Sequence, residues 1–149
     1  MKKAFFAIVF FLGLFALHSQ DAQKISEIIE SQEISNEQAA WIACQSAQNM
    51  DEASGYSEAL AKAVELGWIS SGVVAESPMP LQDYCGLCVK ASGLKCGLLY
   101  RITKSKRYAF KELKANGTLD LAADPGMTVN GQNAFAILNA CIKKSGGAK

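Results

Sequence analysis

One spacing constrains this chain more than its composition does: a pattern of small, apolar and glycine positions returns after fifty residues. Ala59 meets Ala109, Leu60 meets Phe110, Gly67 meets Gly117, and Ile69 meets Leu119. Met79 meets Val129, Gln82 meets Gln132, Leu87 meets Ile137, and Cys88 meets Leu138. No gap is needed from Ala59 to Cys141. Identities across the shift are few, so the pattern repeats rather than the residues. A period of this size is in the range of stacked modules. In each copy a helix stops at a glycine, a loop follows, and an apolar residue leads into a second helix. Ile34-Ser35 is a third start of the kind seen at Met79-Pro80 and Val129-Asn130, with small or apolar residues at Ala39, Ile42 and Ala43.

Local signals place the helices. Asp21–Glu33 carries Ile25, Ile28 and Ile29 at helical spacing, which predicts a short N-terminal helix with a loose attachment, as at many termini. Ser35 and Gln38 form a capping box, with Ala39, Ile42, Ala43 and Ala47 inward. Gln48–Gly55 is a polar break. Ser57 is expected to cap a helix with Leu60, Ala61 and Val64 inward and Ala63 as a further candidate, ending at Gly67, which tolerates positive φ. Trp68 and Ile69 then enter the core. Pro80 or Leu81 opens the next helix. Leu94–Ile102 reads either as an extended connector or as a helical turn. Lys104–Arg107 reads as a basic turn before a helix at Tyr108–Ala115. Asn130 caps the last helix, with Lys143 and Lys144 near its negative end. Strand patterns are scarce. The expectation is an all-α fold of five to six short helices around Ile42, Leu60, Val64, Trp68, Leu87, Phe110, Ile137 and Leu138.

The N-terminus belongs to a different category. Lys2-Lys3 precedes an unbroken apolar run, Ala4–Leu17, and a polar exit that ends at Ala22. This reads as a cleaved signal peptide over residues 1–22; the run is short of the roughly 20 apolar residues that a spanning helix needs. The division expected is then 23–33 as an N-terminal helix or flexible segment, 34–144 as one helical domain, and 145–149 as a tail. No later stretch is suited to a transmembrane span. The single histidine, His18, lies in the signal. Catalysis by Ser-His or Cys-His pairs and His-ligated metal sites are thereby excluded from the rest, and the usual proton shuttle near neutral pH is missing. No cofactor is implied.

Charge is unevenly spread. Asp21–Asp83 holds eleven acidic residues against Lys24 and Lys62; Tyr84–Lys149 holds eleven basic residues against Glu112, Asp120 and Asp124. Such asymmetry fits a surface for anionic partners, or two halves that attract each other. The densest basic run is Arg101, Lys104, Lys106, Arg107, Lys111 and Lys114. It is a candidate contact for anionic polymer or lipid headgroups, or a solvated helix face. Trp41 and Trp68 are candidate platforms for a sugar ring, or core residues.

The segments ISNEQAAWIA, ALAKAVELGWI, MPLQDYCGLC and VNGQNAFAIL resemble the S-layer homology domain. The resemblance covers about Ile34–Ile142, as roughly two and a half modules. It implies a pseudo-threefold helical unit that docks on anionic cell-wall polymer. The family's basic and acidic pair falls on Asn36 and Glu37, on Leu81 and Gln82, and on Gly131 and Gln132, none of which is Arg. RYAFKEL and ADPGM are also similar to segments of small secreted spirochaete envelope proteins, some of which resemble partners of peptidoglycan-binding domains.

Five cysteines, Cys44, Cys85, Cys88, Cys96 and Cys141, follow the signal. Export favours disulfides, and an odd count leaves one thiol over. Cys85 or Cys88 with Cys96 is the expected staple; Cys44, Cys88 and Cys141 read as small core residues. Cys85-Gly86-Leu87-Cys88 is formally a redox motif, but it begins well inside its helix rather than at the N-terminus, where a thiolate is stabilised. A four-cysteine zinc site lacks a second close pair. The reading is therefore a non-catalytic periplasmic or envelope-associated module with no metal and no nucleic acid. Its expected partner is an anionic cell-wall component or an envelope protein. The alternatives are an adaptor binding protein through an apolar groove near Leu98-Leu99-Tyr100, a thiol-redox protein or a Cys-zinc protein.

Overall fold

The computed structural model describes residues 21–51 and 54–146; residues 1–20, which hold most of the expected signal peptide, residues 52–53 and residues 147–149 lie outside the described residues. The described chain is all-helical. Helix α1 covers 21–30. It is followed by α2 (Asn36–Ser46), α3 (Tyr56–Glu65), α4 (Leu81–Ser92), α5 (Leu98–Thr103), α6 (Lys106–Ala115) and α7 (Gly131–Gly146). Seven helices thus replace the five to six expected. The extra one comes from Leu94–Ile102, which divides into an extended stretch and the short α5. The last helix runs to Gly146, so it takes in the first two residues of the expected tail.

Caps explain most boundaries. Ser35 Oγ accepts the Gln38 N–H, and Gln38 Oε1 accepts the Ser35 N–H at 3.0 Å. Asn130 Oδ1 accepts the Asn133 N–H at 2.8 Å. Two starts differ from expectation. Helix α3 begins at Tyr56, with Gly55 as N-cap and the Glu58 carboxylate accepting the Gly55 N–H at 3.1 Å. Helix α6 begins at Lys106, because Ser105 caps it; Lys106 and Arg107 are therefore its first turn rather than a basic loop. Gly67 and Gly117 sit at φ 69° and 74°. The two following amides fold back on the helix in both places: Trp68 and Ile69 onto Ala63 O, and Thr118 and Leu119 onto Leu113 O.

The three helix starts meet. Ile34, Met79 and Val129, each two residues before a helix, are buried side by side. The Ile34 N–H donates to Val129 O at 2.8 Å, and the Met79 N–H to Ile34 O at 3.0 Å. A helix leaves its first amides without internal acceptors, and here the neighbouring segment supplies them. Asn36 N–H donates to Ser77 O, Leu81 N–H to Met127 O, and Gly131 N–H to Ser31 O. Each start is capped by the segment leading into the next, and the last by the segment leading into the first. The ring closes.

Helix α2 packs on α3, and α4 packs on α6, α7 and α2. The inward stripe of α3 is Ala59 and Ala63; of the expected set only Ala63 is fully buried, while Leu60 and Val64 lie half-buried at the edge of the core, as does Trp68, and Ala61 is exposed. Small residues one turn apart let α3 approach closely, and the Cys44 thiol reaches Ala59 O at 3.7 Å. Helix α1 is held rather than loose: Ile28 is fully buried, while Ile25 and Ile29 are not. Of the described helices, none is long and apolar enough to cross a membrane.

Candidate functional site

The first turn of α6, the α3–α4 loop and α4 enclose a groove of about 550 Å³, lined by residues that include Trp68, Asp83, Lys90, Lys104 and Lys106. A second depression of about 850 Å³ shares Trp68, Lys90 and Lys104, and adds Lys95, Tyr100 and Arg101. Together they form one trough beside the Gly67-Trp68 turn. Five of its lining residues are cations, and Asp83 is its one carboxylate.

Local structure places each of these groups. The Lys90 ammonium donates to Gly67 O at 2.7 Å, which ties α4 to the end of α3. Partial burial lowers its pKa, because desolvation disfavours the charged form. Lys104 is a non-glycine residue at positive φ, 52°, where α5 ends; this bend carries its ammonium over the Tyr100 ring, 5.5 Å from the centroid. Lys106 pairs with Asp83 across the groove. Gly86 makes room for that crossing, since a Cβ there would lie 3.1 Å from Lys106 Cβ. Asn36, the one buried polar residue among those described, donates to Val74 O at 2.8 Å and fixes the groove's far wall.

The basic run is only partly gathered here. Arg101, Lys104 and Lys106 line the trough. Lys111 lies over the Tyr108 ring beside a smaller depression at Leu98, Leu99 and Tyr100. Lys114 donates to Ala123 O at 3.0 Å and is occupied with structure. Arg107 is exposed and lines none of these depressions. Lys106–Asp83 is the one ion pair joining the acidic and basic halves among the described residues. Lys90 and Lys95 were not singled out in the sequence. Lys90 lies on the side of α4 that meets the Gly67 stop, and Lys95 follows the end of that helix; neither position carries a local sequence signal.

The two tryptophans separate. Trp41 is buried, so it offers no ring face to a sugar; its indole N–H donates to Ser54 O at 3.2 Å and its ring meets Tyr56 edge-on. Ser54 and Tyr56, where the chain enters α3, cover it. Trp68 is half-buried and lines both parts of the trough.

All five cysteines are buried free thiols, so the expected staple from Cys85 or Cys88 to Cys96 is not formed. Cys88 instead faces Cys141 across the α4–α7 contact. Burial pushes the Cys85 and Cys88 thiols up, and Cys96 to about 11, while the neighbouring Cys88 holds Cys141 down. Raised, enclosed thiols are the reverse of the stabilised thiolate that exchange chemistry uses. Among the described residues no group of three His, Cys, Asp or Glu side chains is placed to hold a metal ion. No protein-family model, no curated protein and no solved structure matches this chain.

Proposed function

We propose that this chain is an exported, non-catalytic envelope module that docks on an anionic cell-wall polymer through the trough beside Trp68. One observation carries the reading: five cations and an accessible indole line a concave surface that contains a single carboxylate. Lysines and arginines spaced along a groove suit a polymer with repeated negative charge, and an aromatic face beside them suits a sugar ring. The fifty-residue equivalence and the closed ring of helix starts support an arrangement like that of S-layer homology modules. In this reading the recognition residues are not the family's usual pair, since Asn36 and Glu37, Leu81 and Gln82, and Gly131 and Gln132 carry no Arg. Lys90, Lys95, Arg101 and Lys104 take that role. The apolar run Ala4–Leu17 supports export.

The test is co-sedimentation with purified wall sacculi, before and after acid stripping of their anionic polymer, at about 50 and about 500 mM salt. Exposed charges are screened within about 8 Å at physiological ionic strength, so binding should fall steeply at the higher salt and on stripped sacculi. Lys95→Ser with Arg101→Ser should weaken binding roughly thirtyfold at low salt, since each such contact is worth on the order of 1 kcal/mol. Equal sedimentation of this double variant and the natural chain would sink the proposal.

A further inference from the structure

We propose that the outer face of α5 is a docking surface for an anionic lipid bilayer, adjoining the trough and sharing Arg101 and Lys104 with its rim. Helix α5 has six residues, and three of them are large apolar side chains turned to solvent: Leu98, Leu99 and Ile102 are 68 %, 58 % and 71 % exposed. At 3.6 residues per turn these three share one side of the helix. Tyr100 points the opposite way and is buried. The segment is therefore anchored by one residue and presents the rest outward. Isolated exposed apolar residues are ordinary, but three on one helical turn form a patch that calls for a partner.

The surroundings of the patch identify that partner. Arg101 projects from its flank, Lys104 stands at its C-terminal end, and Lys111 lies beside it over Tyr108; all three cations are exposed. None of the three has an ion-pair partner among the described residues. The nearby Glu112 lines the same depression, and its carboxylate is engaged by backbone, accepting the Gly97 N–H at the start of α5 at 3.2 Å. An apolar tip in a collar of unpaired cations is the arrangement that an anionic membrane interface accepts. The leucines and isoleucine enter the acyl boundary while the long basic side chains bend back to the phosphates. A protein groove that took the same tip would have to desolvate those cations or supply matching acids. Tyr108, half-buried at the patch edge, suits the headgroup level, where tyrosines collect.

Hydrogen exchange of the full chain on vesicles tests this directly, because it reads α5 whatever the N-terminal apolar run does. The vesicles are phosphatidylcholine alone, or with about 30 % phosphatidylglycerol to set an anionic surface potential. Amides of residues 98–103 should exchange roughly tenfold more slowly on the anionic vesicles, since a helix this short opens readily and its first amides have no acceptor within it. They should be unchanged on phosphatidylcholine. Leu98→Ser with Ile102→Ser keeps every charge, should leave the fold intact because both residues are exposed, and should abolish the slowing. Four results would overturn the proposal: no slowing at 98–103, equal slowing on both vesicles, slowing that survives in the variant, or concentration-dependent slowing without vesicles. The last would assign the patch to a second copy of the chain. Trp68, Lys90 and Lys95 are untouched in this variant, so wall binding and lipid binding fail independently.

Discussion

Tyr84 concentrates the chemistry of the core in one side chain. Its phenol is fully enclosed and donates to Ala134 O in the first turn of α7 at 2.8 Å. Burial pushes its pKa well above the ordinary 10, with Cys88 and Cys141 adding to the shift. The folded chain therefore keeps this proton to higher pH than the unfolded chain, in which the phenol ionises near pH 10. Above about pH 10 the unfolded state binds fewer protons, so stability must fall as pH rises. Tyr84→Phe should cost about 1 kcal/mol at pH 7 through the lost hydrogen bond. It should also lose less stability than the natural chain between about pH 10 and pH 11; urea unfolding at the two pH values measures both effects. The thiols beside it lead to a kinetic prediction. Cys85 and Cys88 are enclosed and hard to ionise, so iodoacetamide at about pH 8 should leave them unmodified in the folded chain and alkylate them in urea. Mass mapping of the peptide spanning 81–92 reads this, and rapid native alkylation of either cysteine would show the burial argument to be wrong.

The start of α7 shows how an element depends on its neighbour's backbone. A Cβ on Gly131 would lie 1.6 Å from Ile28 O and 2.9 Å from Ile29 Cα, so α7 could not seat against α1. Gly131→Ala should therefore destabilise by about 3 kcal/mol, at the upper end of overpacking costs. Gly117→Ala is the contrasting case: φ is 74° but a Cβ would meet nothing within 4 Å, so only backbone strain of about 1 kcal/mol is expected. Thermal unfolding of the two variants ranks them, and equal midpoints would refute this account. The pair also shows what a sequence discloses. Gly117 was legible as a helix stop, because that role depends on local φ preference. So were the Ser35–Gln38 box and the Asn130 cap, which involve residues three apart. Gly131 was not legible as a contact glycine, since the atom it avoids lies about a hundred positions away. The same limit hid Lys90 and Lys95, which become part of a basic trough only when α4 crosses the Gly67 turn and α5 folds beside it. It also made Trp41 a candidate platform, because the carbonyl that satisfies its indole belongs to a loop thirteen residues on.

At the scale of the molecule, the N-terminal helix completes the ring of helix starts. Ser31 O takes the first amide of α7, Glu33 accepts the Thr128 hydroxyl at 2.8 Å, and Lys24 reaches Ser54 O at 2.9 Å. Without this segment, α7 would keep an open N-terminus and Ile34 would lose cover on one side. Ile25, Ile28 and Ile29 share helical spacing, and the sequence pattern treats them alike. The fold does not, because of the three only Ile28 turns its side chain into the core. Ile28 is fully buried, whereas Ile25 and Ile29 are each 39 % exposed. Ile28→Ala should therefore cost about 2–4 kcal/mol, the transfer and cavity cost of a buried Ile. Ile25→Ala and Ile29→Ala should each stay within about 1 kcal/mol. If the ring is one cooperative unit, Ile28→Ala should lower the single unfolding midpoint with no change in the urea m-value. A separate early transition, with the rest of the chain unfolding at the natural midpoint, would mean that the N-terminal helix is an appendage and the ring is already stable without it.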